Sequence, residues 1–319
     1  MNAYIIKRLL LFIPTMVLIS VVVFVIMRLI PGDPAIQLLS GALGDANYTS
    51  EDLAKLRAKL GTDRHIVVQY GNWVWDMLRL DFGTSLLQST PIADDLKDRF
   101  PITIELAIMA LIMASVVAVP LGIFSAVNQD KIGDYIARII AIAGVAMPTF
   151  WTGILLIFFL VLVFDWLPPL GYVDIWEDPL KNLQQLIFPA IALGFIYMAF
   201  LPRLTRSAML EVFREDYIRT ARSKGLSERW VIARHALRNA LLPVVTVSGW
   251  QFGFLISGSD IIESMFNVPG VRKIMHDSIN QRDYTQTQAA VKLITFVVVA
   301  LNLVTDLKYG WLDPRIRYR

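Results

Sequence analysis

The chain contains no cysteine. That excludes disulfides, cysteine-ligated zinc, iron–sulfur clusters and a thiol nucleophile, and it leaves the redox compartment open. Histidine is scarce: His65, His235 and His276 are far apart and, on the topology below, on different sides of a membrane. No HExxH, GxSxG or phosphate-loop pattern occurs, so no catalytic constellation presents itself. Charge is the third scarcity. The 319 residues carry 30 basic and 27 acidic side chains, and six long stretches carry none.

Those stretches are 9–27, 106–129, 139–164, 182–202, 239–259 and 293–305. A bilayer core of about 30 Å needs roughly 20 apolar helical residues. Five stretches meet that length. The sixth does so if it starts near Thr287 and includes Lys292. With 55% hydrophobic residues and a mean hydropathy of +0.54, the chain is expected to be an all-α integral membrane protein with six transmembrane helices. Lys7 and Arg8 before an apolar run resemble a signal peptide. The run is 19 residues, however, and Arg28-Leu29-Ile30-Pro31 follows it, not a small-x-small cleavage site. A retained first membrane helix is expected.

The net charge of +3 and pI near 9.0 invite a nucleic-acid reading, but the distribution argues against it. Alternating the loops puts 17 basic and 8 acidic residues on the side of both termini, and 12 basic and 18 acidic on the other. Basic residues in short loops stay in the cytoplasm, so both termini are expected to be cytoplasmic. The expected division is 1–28, a short tail and the first helix; 29–100, a sizeable external segment; 101–310, the main membrane domain with a cytoplasmic loop 203–240; and 311–319, a cytoplasmic tail.

In the external segment, Thr49 is a candidate helix cap before Glu51 and Asp52. Leu53, Leu56 and Leu60 follow at helical spacing, and Gly61 suits the stop. The aromatic stretch 69–80, with Tyr70, Trp73 and Trp75, is expected to be an interfacial helix. Pro14, Pro120, Pro148 and Pro202 fall in or at the ends of apolar runs, where membrane helices tolerate proline. Small residues mark close helix packing around Gly144 and Gly153, and at Gly249-x-x-x-Gly253. Glu105 and Lys292, near helix ends, are expected to snorkel to the interface. The membrane runs lack the buried acids of an ion-coupled transporter.

The loop 203–240 is too polar to insert. Residues 216–224 read as a short helix stopped by Gly225, and Ser227 is placed to cap a second helix over 228–238. Ile218 and Ala221 share one face of the first; Trp230, Ala233 and Leu237 share one face of the second. Two short amphipathic helices meeting at a glycine form a knob that suits either a groove on another protein or an anionic lipid surface.

Asp216-Tyr-Ile-Arg-Thr-Ala-Arg-Ser-Lys-Gly225-Leu, followed by Arg234-His-Ala-Leu-Arg-Asn-Ala-Leu-Leu-Pro243, resembles the coupling-loop motif of type I ABC importer permeases, and within them the B-type subunit of the peptide/nickel family. The similarity extends along nearly the whole chain. It includes Arg28-Leu-Ile-Pro-Gly-Asp-Pro34, Asp81-Phe-Gly-Thr-Ser85, Phe100-Pro-Ile-Thr-Ile-Glu-Leu106, Glu263-Ser-Met-Phe-Asn-Val-Pro-Gly270, Arg282-Asp-Tyr284 and Asp313-Pro-Arg315. The chain departs from the general motif where a leading Glu-Ala-Ala aligns with Arg219-Thr220-Ala221, and where the closing proline aligns with Arg238.

The resemblance implies the type I ABC importer permease fold in a bacterial or archaeal cytoplasmic membrane. The chain would be a non-catalytic subunit with no bound cofactor, ATP and magnesium belonging to partner ATPases. The implied partners are a homologous C-type permease, two ABC ATPase subunits, an external substrate-binding protein and the lipid bilayer, with no nucleic acid. The coupling residues carried over are Asp216, Tyr217, Arg219, Ala221, Arg222, Gly225, Leu226, Arg234 and His235. Arg219, Arg222, Lys224 and Arg229 would orient docking. Glu263, Phe266, Pro269 and Gly270 would lie at an external gate or binding-protein surface. The expected substrates are di- and oligopeptides. A self-sufficient secondary transporter or channel for small solutes is the alternative, and a polytopic membrane enzyme a third reading.

Overall fold

The computed structural model describes residues 2–29, 33, 35, 36, 39, 48–85, 90–169, 171–281 and 283–312. The motif residues 30–32, 34, 282 and 313–315, and the tail from 313 onward, lie outside the described residues. Among those described, the regular secondary structure is helical, with one isolated bridge between Thr84 and Pro91. Among the described residues, five helices are long and apolar enough to cross a membrane: Leu10–Leu29, Ile92–Val127, Pro179–Val212, Glu228–Gly258 and Thr285–Thr305.

The charge-free run 139–164, expected as one span, is instead two helices, Ile132–Ala146 and Thr149–Phe164, bent by 106°. Pro148 gives the physical reason. A proline pushes the residue before it out of the helical region, and Met147 is extended at ψ 124°. Counting this pair as one span gives six.

Local chemistry sets several ends. Thr49 and Asp52 form a reciprocal capping box for Ser50–Leu60, and Gly61 ends that helix at φ +65°. Asp178 accepts from the Leu180 and Lys181 amides, with Pro179 in the first turn of Pro179–Val212. The aromatic stretch forms the helix Ile66–Leu78.

The chain divides into two compact units. One joins residues 1–102 to 270–303, the other 103–269 to 304–319. In the first, Ile92 and Leu96 pack with Val271, Ile274, Ala289 and Ala290. Phe24 packs edge-on against Tyr70 and Trp73. Trp73 is therefore buried within the protein, while Trp75 stays exposed. In the second, Tyr197 and Leu201 pack with Ala114, Ala118 and Val244.

Helices in the second unit approach through small residues. A β-carbon on Gly194 would lie 2.7 Å from the backbone oxygen of Ala110, and one on Gly122 would lie 2.5 Å from Thr205. Gly144 faces Ala199 at 2.7 Å and Gly249 faces Thr305 at 3.1 Å. The sequence points to the last two, but not to Gly122, the tightest contact, nor to Gly194, which is as close as Gly144. Gly194→Ala is expected to destabilise by about 1–3 kcal/mol, because the obstructing atom is backbone and cannot rotate away. Gly71→Ala, in a helix interior with open space around it, should stabilise by up to about 1 kcal/mol. Thermal unfolding in one detergent should show opposite signs; equal shifts would refute the close contact.

Candidate functional site

The loop singled out by sequence forms a folded knob. Asp216–Ser223 is a helix, and Gly225 turns the chain at φ +78° while its amide donates to the Arg222 carbonyl at 2.9 Å. Such an angle favours glycine. Glu228 then begins a helix that continues without a break to Gly258. The expected separate second helix is therefore the first part of a membrane helix, and Ser227 makes no side-chain capping bond.

The shared face of the first helix, Ile218 and Ala221, is buried, whereas Trp230 and Ala233 on the expected face of the second are exposed. The buried positions of the second element are Val231, Ala236 and Ala240, with Leu237 only partly covered. The cause is a π-helical turn over Val231–Ala236. It takes an extra residue per turn, so the face advances by five from Val231 to Ala236 and a 3.6-residue reading points at the wrong side.

Ile218, Ala221, Val231 and Ala236 form one apolar cluster with Ala126, Ala208 and Met209, the last residues of two long helices. Leu226 packs against its edge. The knob is thus continuous in packing with Ile92–Val127 and Pro179–Val212. Its outer surface carries Asp216, Tyr217, Arg219 and Arg234, all exposed, with His235 half-buried. Trp230 stands out at 52% exposure beneath the Arg234 guanidinium, 5.8 Å from its ring centre. Asn239 donates to the Tyr217 hydroxyl at 2.7 Å. Arg222 grips Glu228 through two bonds of 3.2 and 2.6 Å across the Gly225 turn. Those bonds hold its guanidinium above the ordinary pKa. Arg222 therefore brackets the two helices, whereas Arg219, Lys224 and Arg229 are presented outward.

Beside the knob lies a polar cluster that sequence reading missed. Asp134 is fully buried. It accepts from Arg206 Nε at 2.8 Å and Nη2 at 2.7 Å, from the Asp130 amide at 3.0 Å, and from the Ser125 hydroxyl. This fork ties three helices together just before the loop. Its partners are 72 residues apart, so no local pattern signals it.

The segment Glu263 to Gly270 is packed inward. Glu263 is fully buried and accepts from Thr103 and Ser259, each at 2.8 Å. Phe266 is buried near Trp166, Gly270 is buried, and Pro269 is partly covered. The structure therefore joins the motif at 100–106 to the one at 263–270. In the other unit it joins Ser85 to Asp283 at 2.6 Å, linking the motifs at 81–85 and 282–284.

Both residues expected to snorkel meet partners within the protein. The Tyr172 hydroxyl donates to Glu105, and Asn182 supports Tyr172 at 3.1 Å. Burial, and then the Glu105 carboxylate, hold the Tyr172 phenol well above its ordinary pKa. Lys292 is buried over the Trp73 ring, 4.7 Å from its centre.

Comparison with known proteins places this geometry. Residues 118–318 match the family described as "Binding-protein-dependent transport system inner membrane component". Residues 1–107 match "Binding-prot-dependent transport system membrane comp, N-term". A Brucella abortus (strain 2308) protein named as a peptide transport system permease is 40% identical over 318 residues, covering 100% of both chains. A similarly named Brucella melitensis protein is 40% identical, covering 100% of this chain and 99% of its own. The Salmonella typhimurium (strain LT2) glutathione transport system permease protein GsiC is 39% identical over 316 residues, covering 99% of both.

Proposed function

The chain belongs to the type I ABC importer permeases of the peptide/nickel family, multi-pass proteins of the bacterial inner membrane, and from that premise we propose that it forms half of an ATP-driven import pathway for di- and oligopeptides. The knob 216–238 is the docking element for an ATPase subunit. The single observation that carries this is its two-sidedness. Its inner face is fused by packing to the ends of two membrane helices, and its outer face presents Tyr217, Trp230 and a set of charges. A push on the outer face is thereby delivered to Ile92–Val127 and Pro179–Val212, which is what a two-state transporter biased from one end requires.

In this reading the chain pairs with a second, homologous permease, two ATPases bind ATP and magnesium, and an external binding protein supplies the peptide. This chain holds no cofactor of its own. It crosses the membrane six times, the bent pair counting as one span, with both termini in the cytoplasm. The relatives' names, peptide in Brucella and glutathione in Salmonella, both support a peptide-like cargo.

Reconstitution tests the reading. Proteoliposomes containing both permeases and both ATPases should take up peptide only with ATP and the cognate binding protein. Mass spectrometry of ligand carried by that binding protein should find peptides. Uptake by this chain alone without ATP would replace the importer with a secondary transporter or channel. Because the chain has no cysteine, single cysteines at Asp216 and Trp75 should label from opposite faces; labelling from one face would overturn the six-span topology.

A further inference from the structure

The first unit holds a cavity of about 410 Å³ that none of the roles above uses. Its wall carries three cations, Arg28, Arg64 and Lys292, and two acids, Asp76 and Asp81, with Trp73 among them. Lys292 is only 9% exposed and makes no ion pair among the described residues; its ammonium rests on the Trp73 ring. On the same wall, Arg28 Nε and Gln69 Oε1 are buried without a hydrogen-bond partner among the described residues. Buried polar groups are ordinarily paired. A mixed-charge cavity with an unpaired donor, an unpaired acceptor and a sequestered ammonium is short of a ligand that supplies both signs.

Position narrows the ligand. Arg28 lies in the last turn of the apolar run Leu10–Leu29, and Thr285, Gln288 and Lys292 lie in the first turns of Thr285–Thr305. Ends of membrane helices lie at the level where hydrocarbon gives way to headgroups. The helix Ile66–Leu78, which lines the cavity with Asn72 and Trp73, exposes Ile66, Val67, Trp75 and Leu78. That apolar face suits the same boundary.

We propose that this cavity binds the headgroup of a membrane phospholipid of the phosphoethanolamine type. The phosphodiester meets the Lys292, Arg28 and Arg64 cations, and the primary ammonium meets Asp76 and Asp81. The acids decide between headgroups. A purely anionic headgroup offers them no cation, and a choline nitrogen has no proton to donate. The volume falls within the range of about 300–1,000 Å³ typical of small-ligand sites.

Native mass spectrometry of the assembled transporter, equilibrated with equimolar phosphatidylethanolamine and phosphatidylcholine in mild detergent, tests this. Phosphatidylethanolamine should be retained about tenfold more than phosphatidylcholine, the ratio one charge-assisted hydrogen bond supplies. Lys292→Met should lose that retention and Lys292→Arg should keep it. Asp76→Asn should still hold lipid but lose the preference. Equal retention of the two lipids overturns the proposal, as does unchanged retention in a Lys292→Met complex that melts normally. If Lys292→Met does not assemble, the Asp76→Asn measurement decides alone. Displacement of the lipid by millimolar soluble phosphoethanolamine would assign the cavity to a free solute instead.

Discussion

Gly225→Pro is expected to abolish substrate-stimulated ATP hydrolysis and transport while leaving membrane insertion intact. Proline fixes φ near −65° and has no amide proton. Gly225 sits at φ +78° and donates to Arg222. The substitution therefore cannot keep the turn, and it separates the two helices that Arg222 and Glu228 clamp together. Gly225→Ala is a graded control. Its β-carbon meets open space, so only the left-handed backbone opposes it, at about 1–2 kcal/mol. Ala221→Trp should act like proline for a different reason. Ala221 is 5% exposed within the cluster that joins the knob to Ala126 and Ala208, so a large ring would lever the knob off the helices. The measurement is ATPase activity of the fully reconstituted transporter. Normal stimulation in Gly225→Pro and Ala221→Trp would sink the coupling role.

Removing Asp134 should have the largest effect on stability. A buried carboxylate gripped at two nitrogens by Arg206 leaves that guanidinium without its counter-charge when lost, which costs about 3–5 kcal/mol. Asp134→Ala is expected to cut the yield of folded chain and lower the melting temperature of the detergent-solubilised transporter. Replacing both Asp134 and Arg206 by leucine and methionine should recover much of the loss, because an apolar pair leaves no buried charge unmatched. The double variant should nevertheless couple poorly if the fork orients the helix ends beneath the knob. If Asp134→Ala melts with wild type, the fork is incidental. If the double variant is no better than the single, the loss has another cause.

At the knob, Ile218 and Ala221 follow the ordinary helical period, and their shared face was readable from spacing. Val231, Ala236 and Ala240 do not, because one π-helical turn inserts between them. No residue type demands that turn; it is selected where the knob packs on the long helices. Lys292 and Glu105 tell a similar story. Near a helix end, snorkelling is the default for a lone charge. A ring or hydroxyl from a segment 219 or 67 residues away changes the outcome, and sequence distance hides it.

Composition and single-residue preferences were enough for the membrane class, the apolar helices, the cap at Thr49 and the Gly225 turn. Each follows from local composition or from one residue's backbone preference. Family membership was legible too, because its motifs are strings. Only the tertiary structure decided that Pro148 breaks a helix while Pro202 does not. It also decided that Gly122 and Gly194 meet a neighbouring helix closely, that Asp134 and Arg206 form the fork under the knob, and that motifs distant in the chain meet in pairs. Those outcomes depend on which helix lies opposite, and packing between distant segments leaves no period in the chain to read.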